Sequence, residues 1–489
     1  MPLILGTNSI KDTGYNVANS CRFNDDDSPM MQLTPGSSAT SSRIMTISFW
    51  CKRMVPTGNN TRIFSADTSG SNDNRDCLLF SGDALNLFID NENGGHLKTE
   101  RFFRDPSAWY HIVVAIDTTQ GTAANRVKFY VNGTQETSFS SGGTGVVYPD
   151  QNYDILGFGQ NGREATIGAD TDGGGNDDEF DGYLAEFVFI DGQQLAPTSF
   201  GEFDEDSPTI WKPINVSGLT FGNNGFYLDM ESSGNLGNDV AGKGDFTAVN
   251  LAAADQAQDS PTNNFCVMNP LDNYYYDSDF SQGNTVIYTN GGAVYTFNTA
   301  TFLLSAGRWY WEVKVAAGTN GTGTSYICGI SDAPTTATSQ ELGNEGTQWG
   351  YYGAGHIRHN NGNDGSYTTY TAGDIVGVYL DLEDNKLYFT KNGTLENSGT
   401  GVSITAVTNS AIRNGGYFPA TGYFDGDASG NAAYFYHNFG NGEFNGTAVS
   451  SSVADDNGYG LFEYSPNITG DGSAKKFYAL CTKNLAEFG

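Results

Sequence analysis

A glycine-rich stretch near residue 175 concentrates carboxylates, the side chains that bind hard cations. The sequence ADTDGGGNDDE, residues 169–179, holds five acidic residues. Ca²⁺ takes about six to eight oxygen ligands from carboxylates and carbonyls, and flexible loops supply them. The spacing is not that of an EF-hand loop, so the alternative is a solvated acidic loop. Our hypothesis is one weak calcium site, calcium being the one cofactor that the sequence suggests, with these ligands: Asp170, Asp172, Asp177 and Asp178.

A second candidate site is the polar aromatic segment 348–370, QWGYYGAGHIRHNNGNDGSYTTY. Sugar rings stack on aromatic faces, and their hydroxyls bond to amides and to backbone groups, so this composition indicates ligand binding. The alternative is that the first three aromatic residues begin a strand and pack in a core. The predicted ligand-binding residues are Trp349, Tyr351, Tyr352, His356, Arg358, His359 and Tyr367.

Motifs of nucleophilic and metal catalysis are missing from the sequence. It has no G-x-S-x-G in a strand–turn–helix context, no phosphate-binding loop and no H-E-x-x-H. His111 lies in a run that reads as a buried strand, and the other histidines of interest lie in the segment 348–370. The six cysteines are scattered without a C-x-x-C pair, so we predict buried, reduced thiols and neither a zinc site nor a disulfide framework. We predict no enzyme activity.

The charge balance excludes two classes of partner. Lys and Arg total 24 and Asp and Glu total 56, a net charge of −32. Nucleic acids and anionic membranes bind cationic surfaces, so neither is a predicted partner. No apolar run approaches the ~20 residues of a membrane span. The start, MPLILGTNSIKD, has no basic region before its short apolar run, so we expect no secretory signal.

The elements that must position these residues are β-strands. Met45, Ile47, Phe49 and Cys51 alternate with more polar residues, a period of two that indicates a strand. Residues 111–117 are apolar on both faces, as an inner strand would be. The same alternation recurs at Trp309, Trp311, Val313 and Val315 and at Val376, Val378, Leu380 and Leu382. Asn-Gly pairs such as 132–133 and 392–393 predict tight hairpin turns. Helical periodicity is nearly absent, apart from short helices within 197–203 and 479–488.

Two stretches resemble known families. Residues from about 15 to 200 resemble laminin-G/pentraxin domains of the concanavalin-like lectin/glucanase superfamily, through MTISFWCKR, WYHIVVAID, VKFYVNGT and FDGYLAEFVFIDGQQL. Residues from about 266 to 445 resemble a SPRY domain, through GRWYWEVKV, YICGISDA, GDIVGVYLDLEDNKLYFTKNG, YFPATGYF and FYHNFG. The resemblances imply an all-β chain of two antiparallel jelly-roll sandwiches in tandem. The predicted parts are a first sandwich (1–201), an irregular connector (202–264), a SPRY-like sandwich (265–446) and a C-terminal tail (447–489) that could dock elsewhere.

The first resemblance also bears on catalysis and on calcium. Glucanases of that superfamily carry alternating carboxylates on one strand, because nucleophile and acid must lie ~5–5.5 Å apart. Glu179 and Asp181 share a face by parity, but Ala185 occupies a following position on that face and Glu186 is predicted to point the other way. The third carboxylate is therefore missing. An Asp-Glu pair of the family appears here as Ala185-Glu186, which departs from the family's calcium site.

Other segments resemble structural proteins of marine tailed bacteriophages: GYNVANSCRFNDDDSP, FGEFDEDSPTIWKP, SPTNNFCVMNPLD and FYALCTKNL. This likeness implies a non-enzymatic virion protein of a tail, fibre or other appendage, assembled in the host cytoplasm. Its expected partners are other virion proteins, further copies of itself in a homo-oligomer, and a host-surface glycan or receptor. The alternatives are a purely architectural decoration or connector protein, a glycan depolymerase, and a lone module of a cellular protein.

Overall fold

The computed structural model describes residues 11–54, 60–68, 71–170, 178–273, 278–289, 295–318, 323–334, 340–424 and 432–489. Strands account for 44% of the chain and helices for 5%, which confirms the all-β prediction. The chain forms two compact units. The N-terminal unit is Thr13–Thr262, and the C-terminal unit is Asn263–Gly489 with the short segment that ends at Asp12.

The N-terminal unit contains two large antiparallel sheets. One has the strand order β10-β9-β8-β3-β12-β1-β17, with β15 also paired to β12, and the other has the order β16-β2-β11-β4-β5-β6-β7. Strands β13 and β14 pair separately. The strands are β1 (Ser20–Phe23), β2 (Met30–Leu33), β3 (Ile44–Arg53), β4 (Asn60–Thr68), β5 (Ser71–Ser81), β6 (Ala84–Ile89), β7 (Gly95–Phe102), β8 (Tyr110–Asp117), β9 (Val127–Val131), β10 (Thr134–Glu136), β11 (Glu164–Ile167), β12 (Gly182–Asp191), β13 (Gly201–Phe203), β14 (Trp211–Pro213), β15 (Phe226–Leu228), β16 (Thr247–Val249) and β17 (Gln256–Ala257).

The predicted faces of β3 and β8 are confirmed. Ile47 and Phe49 of β3 join the core of the N-terminal unit, together with Ile112 of β8. Strand β8 lies between β3 and β9, the inner place that its two apolar faces predict. Val113, on the other face of β8, belongs to a second apolar cluster with side chains from beyond residue 200.

The segment 202–264 differs from the predicted irregular connector. Its strands β15, β16 and β17 extend the two sheets, and its chain up to Thr262 belongs to the N-terminal unit. Val216, Phe221 and Tyr227 pack against Val113 and Val188 on the outer face of the sheet. An apolar outer face exposed to water is unfavourable, so this segment buries it.

The C-terminal unit also contains two large sheets. One has the order β18-β19-β31-β21-β26-β27-β28, with β29 paired to β27 and β36 to β21, and the other has the order β20-β30-β22-β23-β24-β25. The elements are β18 (Ser278–Ser281), β19 (Val286–Thr289), β20 (Tyr295–Thr299), β21 (Arg308–Ala317), β22 (Tyr326–Ser331), β23 (Gln348–Tyr352), β24 (His356–His359), β25 (Gly362–Asp364), β26 (Ile375–Asp381), β27 (Lys386–Lys391), β28 (Thr394–Leu395), β29 (Val402–Ser403), β30 (Phe418–Phe424), β31 (Ala433–Asn438), β32 (Glu443–Phe444), β33 (Thr447–Ala448), β34 (Asn467–Gly470), β35 (Ser473–Lys476), β36 (Tyr478–Ala479) and α1 (Thr482–Phe488).

The segment 447–489 differs from the predicted tail. Strand β36 runs parallel to β21, and α1 follows it. Phe462 and Phe477 pack on Tyr310, Tyr379 and Tyr388, on the face of the sheet opposite the core. These tyrosines are fully buried or nearly so. The segment 447–489 is therefore part of the C-terminal unit, because it covers a tyrosine-rich face that would otherwise meet water.

The predicted hairpin turns and the predicted burial of the cysteines are confirmed. Asn132 and Gly133 both have positive φ, as do Asn392 and Gly393, and each pair joins two neighbouring strands. All six cysteines are free and buried. Within the described ranges no helix is long and apolar enough to span a membrane. The three-residue 3₁₀ helices are Asp25–Asp27, Ala123–Asn125, Pro197–Ser199, Ala253–Asp255 and Asn397–Gly399.

Candidate functional site

Two of the aromatic residues predicted to bind ligand lie in the core. Trp349 is 3% exposed and Tyr351 is fully buried, and both belong to the core of the C-terminal unit. The ring of Trp349 stacks on that of His359 at 4.5 Å, and Tyr351 contacts Tyr370 edge to face at 4.8 Å. These two side chains anchor the segment 348–370 in the core, but their rings are not available to a ligand at the surface.

The other predicted residues lie at the edge of the six-stranded sheet, in or beside the hairpins of β23, β24 and β25. Tyr352 and His356 face each other across the first turn, with ring centres 4.9 Å apart. Both are half-buried, as are His359 and Tyr367. Burial and the neighbouring Arg358 lower the pKa of His356, so its ring is neutral at pH 7. This edge offers an aromatic ring and an uncharged imidazole to a ligand.

Arg358 is already committed to the protein. Its Nε donates to Glu341 Oε1 at 2.7 Å, and its Nη2 donates to Asn361 Oδ1 at 2.9 Å. Longer contacts run to Asn344 and Asn363. A guanidinium with several acceptors is held in one place, so Arg358 fixes the β24–β25 turn. Its role at this edge is to position the neighbouring side chains.

The predicted calcium ligands are only partly described. Asp172 and Asp177 lie outside the described residues. Asp178 pairs with Arg62, with Oδ2 2.7 Å from Nη2. Asp170 pairs with Arg62 and with Arg75, whose Nη1 is 2.6 Å from Asp170 Oδ2. A calcium ion would therefore compete with two guanidinium groups for these two carboxylates.

No cluster of three metal-binding side chains occurs among the described residues. The calcium site remains a prediction, which a thermal melt in Ca²⁺ against EDTA tests. Stabilisation by Ca²⁺ would support it, because a ligand that binds only the folded state raises the melting temperature.

The predicted face of Glu186 is wrong. The pairing of β12 with β3 shifts between Ala185 and Val188, and Glu186 has a left-handed φ of 49°. This β-bulge inserts one extra residue and turns the carboxyl group to the outer face. There Glu186 Oε2 accepts a hydrogen bond from Tyr227 Oη at 2.8 Å. Burial raises the pKa of Glu186 to about 8.

A buried Ser–His pair on the same outer face resembles a nucleophile with its base. The positions of its protons, however, do not allow the histidine to act as that base. Trp211 Nε1 donates to His111 Nδ1 at 2.9 Å, so Nδ1 has no proton. The proton of the neutral ring is then on Nε2, 3.0 Å from Ser48 Oγ, and is donated to it. Burial lowers the pKa of His111 to about 3. His111 therefore cannot take the proton of Ser48, and this group is structural.

A polar site that the sequence patterns do not reveal surrounds the β2–β3 loop, residues 34–43. The buried carboxylate of Asp191 accepts hydrogen bonds from the backbone N–H groups of Thr40 at 2.6 Å, Ser41 at 3.0 Å and Asn224 at 3.1 Å. The side chain of Asn224 donates to the carbonyl of Ser37 at 2.8 Å. The loop residues lie 150 or more residues from Asp191 and Asn224 in sequence, so no local motif connects them.

Comparisons with known proteins assign both sandwiches. Residues 25–195 match the model of the concanavalin A-like lectin/glucanases superfamily, and residues 308–428 match the SPRY domain model. These matches support a concanavalin-like sandwich and a SPRY sandwich in the chain. The resemblances seen in the sequence are therefore confirmed for both domains. Lectin-like and SPRY domains suggest binding of carbohydrate or protein.

Three solved structures are similar to parts of this chain at low sequence identity. The SPRY domain of human HERC1 is 16% identical, with 35% of this chain and 96% of that chain covered and a TM-score of 0.27. A heptameric SAP-like pentraxin from Limulus polyphemus is 17% identical over 37% and 80% of the two chains, with a TM-score of 0.27. A protein from Bacteroides ovatus, described as carbohydrate-binding, is 16% identical over 48% and 58%, with a TM-score of 0.31.

Proposed function

We propose that this chain is a non-enzymatic adhesion protein of a bacteriophage particle, binding a host-surface glycan or protein. The observation that carries the proposal is that one chain contains both a lectin-type and a SPRY-type sandwich. Folds of both types bind ligands through surfaces and loops held on a rigid β-framework. The phage setting is supported by the four segments of phage-like sequence, which occur in both units.

The polar groups that suggest hydrolysis do not favour an enzyme. Glu179 and Asp181 precede β12, and the next carboxyl group along the chain is that of Glu186. Glu186, brought to the outer face by the bulge, is buried beneath Tyr227. A retaining glycosidase needs two accessible carboxyl groups ~5–5.5 Å apart, and a buried carboxyl cannot meet a glycan. Binding without turnover is therefore the function these residues support.

The β23–β25 edge is the proposed contact of the SPRY-type domain. Tyr352 and His356 lie there half-buried, above the core residues Trp349 and Tyr351 and beside the turn that Arg358 holds. A partly exposed tyrosine on a rigid hairpin supplies contact area at little entropic cost. In a symmetric appendage each contact can be weak, because avidity multiplies modest affinities.

A cell-binding assay tests this function. Labelled full-length protein is incubated with intact host cells and with cells stripped of surface polysaccharide. We expect saturable binding that is lost on stripping, and that falls in a Tyr352→Ala/His356→Ala variant. The matched control is Leu271→Ala in the same unit, a side chain that is 54% exposed and distant in sequence from this edge. Absence of binding by a multimerised form would overturn adhesion and favour the purely architectural role.

A further inference from the structure

Three depressions lie side by side around the β2–β3 loop of the N-terminal unit. The first has a volume of about 530 Å³ and the second about 280 Å³, and they share Asn223 and Lys243 in their walls. The third, about 600 Å³, is lined by residues 38–42 of the same loop and by Gln160 and Arg163. Small-molecule sites have volumes of roughly 300–1,000 Å³, so a row of this size suits an oligomer better than one small molecule.

The walls of these depressions are rigid because buried polar groups hold them. Asp191 is 3% exposed and binds the backbone of the β2–β3 loop and of Asn224. Asn223 binds the loop as well, since its N–H donates to Thr40 Oγ1 at 2.9 Å and its side chain donates to the carbonyl of Ser38. A preformed site loses little conformational entropy when it binds a ligand.

The walls are rich in hydrogen-bonding groups. The β2–β3 loop has the sequence TPGSSATSSR, and Asn161 and Thr220 lie on the other walls. Hydroxyls, carboxamides and glycine backbone of this kind match the hydroxyl groups of sugars.

The charge at these walls is opposite to that of the chain. About one residue in nine of the sequence is acidic, yet none of the residues lining the three depressions is Asp or Glu. Lys243 and Arg163 line them instead. Within the described part of the chain, no carboxylate pairs with either of these two side chains. In a protein of net charge −32 most cations have acidic partners, so two free cations in one polar row indicate an anionic ligand.

We propose that this row binds an acidic oligosaccharide, a chain of sugars bearing carboxylate or sulfate groups. This inference rests on the proposed glycan-binding function and names the ligand class and the site on the lectin-type unit. Lys243 and Arg163 each pair with an anionic group of the glycan. The hydroxyls and amides between them bind the sugar hydroxyls.

Calorimetry on the full-length protein tests this site with three tetrasaccharides: an oligouronate, a sulfated one, and the oligouronate after reduction of its carboxyl groups. We expect one or both acidic probes to bind, and the neutral probe at least tenfold more weakly. Lys243→Gln and Arg163→Gln should each weaken binding about tenfold, the value of one charge-assisted hydrogen bond. Lys128→Gln removes the same charge from β9 of the same unit and should leave binding unchanged.

Each contrary result overturns the inference. Equal binding of the neutral probe would show that the anionic groups are not recognised. An equal loss in Lys128→Gln would show attraction by net charge rather than a site. No binding of either acidic probe, with host-cell binding retained, would reject this site while leaving adhesion intact. Lys243 is exposed and Arg163 is half-exposed, so neither substitution should unfold the protein. Thermal melts of the variants check that they are folded.

Discussion

The carboxyl group of Glu186 makes the stability of the N-terminal unit depend on pH. Burial raises its pKa from 4.5 to about 8, so the folded state holds the proton more tightly than the unfolded state. Its contribution is fully present below about pH 4.5 and is lost as the pH rises through about 8. Glu186→Gln cannot ionise and should therefore gain stability relative to the wild type with rising pH. Urea unfolding of both proteins at about pH 5 and about pH 9, monitored by hydrogen exchange of the β12 amides, measures the difference in their stabilities. A difference that does not change with pH would contradict it.

For Glu312, substitution by glutamine should destabilise the C-terminal unit. Its carboxylate accepts hydrogen bonds from Tyr310 Oη at 2.8 Å, Asn438 Nδ2 at 3.0 Å and the N–H groups of Glu463 at 3.0 Å and Tyr464 at 2.7 Å. An amide in Glu312→Gln would direct its NH₂ group at donors and leave them unsatisfied. We expect a loss of about 3 kcal/mol in unfolding free energy.

The control for Glu312→Gln is Glu383→Gln in the same unit. The side chain of Glu383 is 56% exposed and pairs with Arg308 at the surface. Exposed pairs contribute about 0–1 kcal/mol, so this change should be small. Urea midpoints of the two variants and the wild type at one pH make the comparison. Equal losses in both variants would mean that the four donors to Glu312 do not matter.

The residues that sequence patterns place correctly are those governed by strand geometry alone. Ile47 and Phe49, like Trp309 and Trp311, face cores as their period of two predicts. Glu186 breaks that rule because a bulge adds one residue, and the only sign in the sequence is a change of parity in the large apolar residues after Leu184. Trp349 and Tyr351 could not be separated from ligand-binding aromatics by type, since tyrosine and tryptophan serve both cores and binding surfaces.

At the scale of elements, the C-terminal segment 447–489 is predicted to be essential for the C-terminal unit. Phe477 is fully buried against Tyr379 and Tyr388, with its ring centre 5.2 Å from that of Tyr379. Phe477→Ala would leave a cavity between the segment and the sheet, at a cost of about 3–5 kcal/mol. Leu271→Ala, 54% exposed in the same unit, is the control and should change stability little. Thermal unfolding compares them. Equal stabilities would show that the segment does not stabilise the sheet.

The large sheets could be predicted from sequence, whereas the segments that cover their outer faces could not. Strands such as β3 and β21 are ten residues long and alternate clearly. The covering segments contain strands of two or three residues, β15, β17 and β36 among them, between glycine-rich turns. Strands of two or three residues are too short to show an alternation of apolar and polar side chains. Their position in the fold is determined by the sheet face that they bury. The polar site at the β2–β3 loop was missed for the same reason, because Asp191 and Asn224 reach it from distant parts of the chain.

At the scale of the whole molecule, the net charge of −32 predicts that salt stabilises the fold. Like charges repel across the compact state, and the Debye length falls from about 30 Å at 0.01 M salt to about 8 Å at 0.15 M. Salt also weakens ion pairs, but pairs such as Lys475–Asp381 are buried and are screened less. The repulsion is therefore reduced more than the attraction, and the melting temperature should rise over this range.

Sodium chloride and tetramethylammonium chloride should raise the melting temperature equally if the cause is general screening. EDTA in every sample removes divalent cations, so that bound calcium cannot imitate the effect. A rise with sodium alone would indicate a specific cation site in place of screening. A fall with both salts would mean that the attraction within surface ion pairs outweighs the repulsion between like charges. The chain has 56 acidic and only 24 basic side chains, so we expect repulsion to be the larger effect.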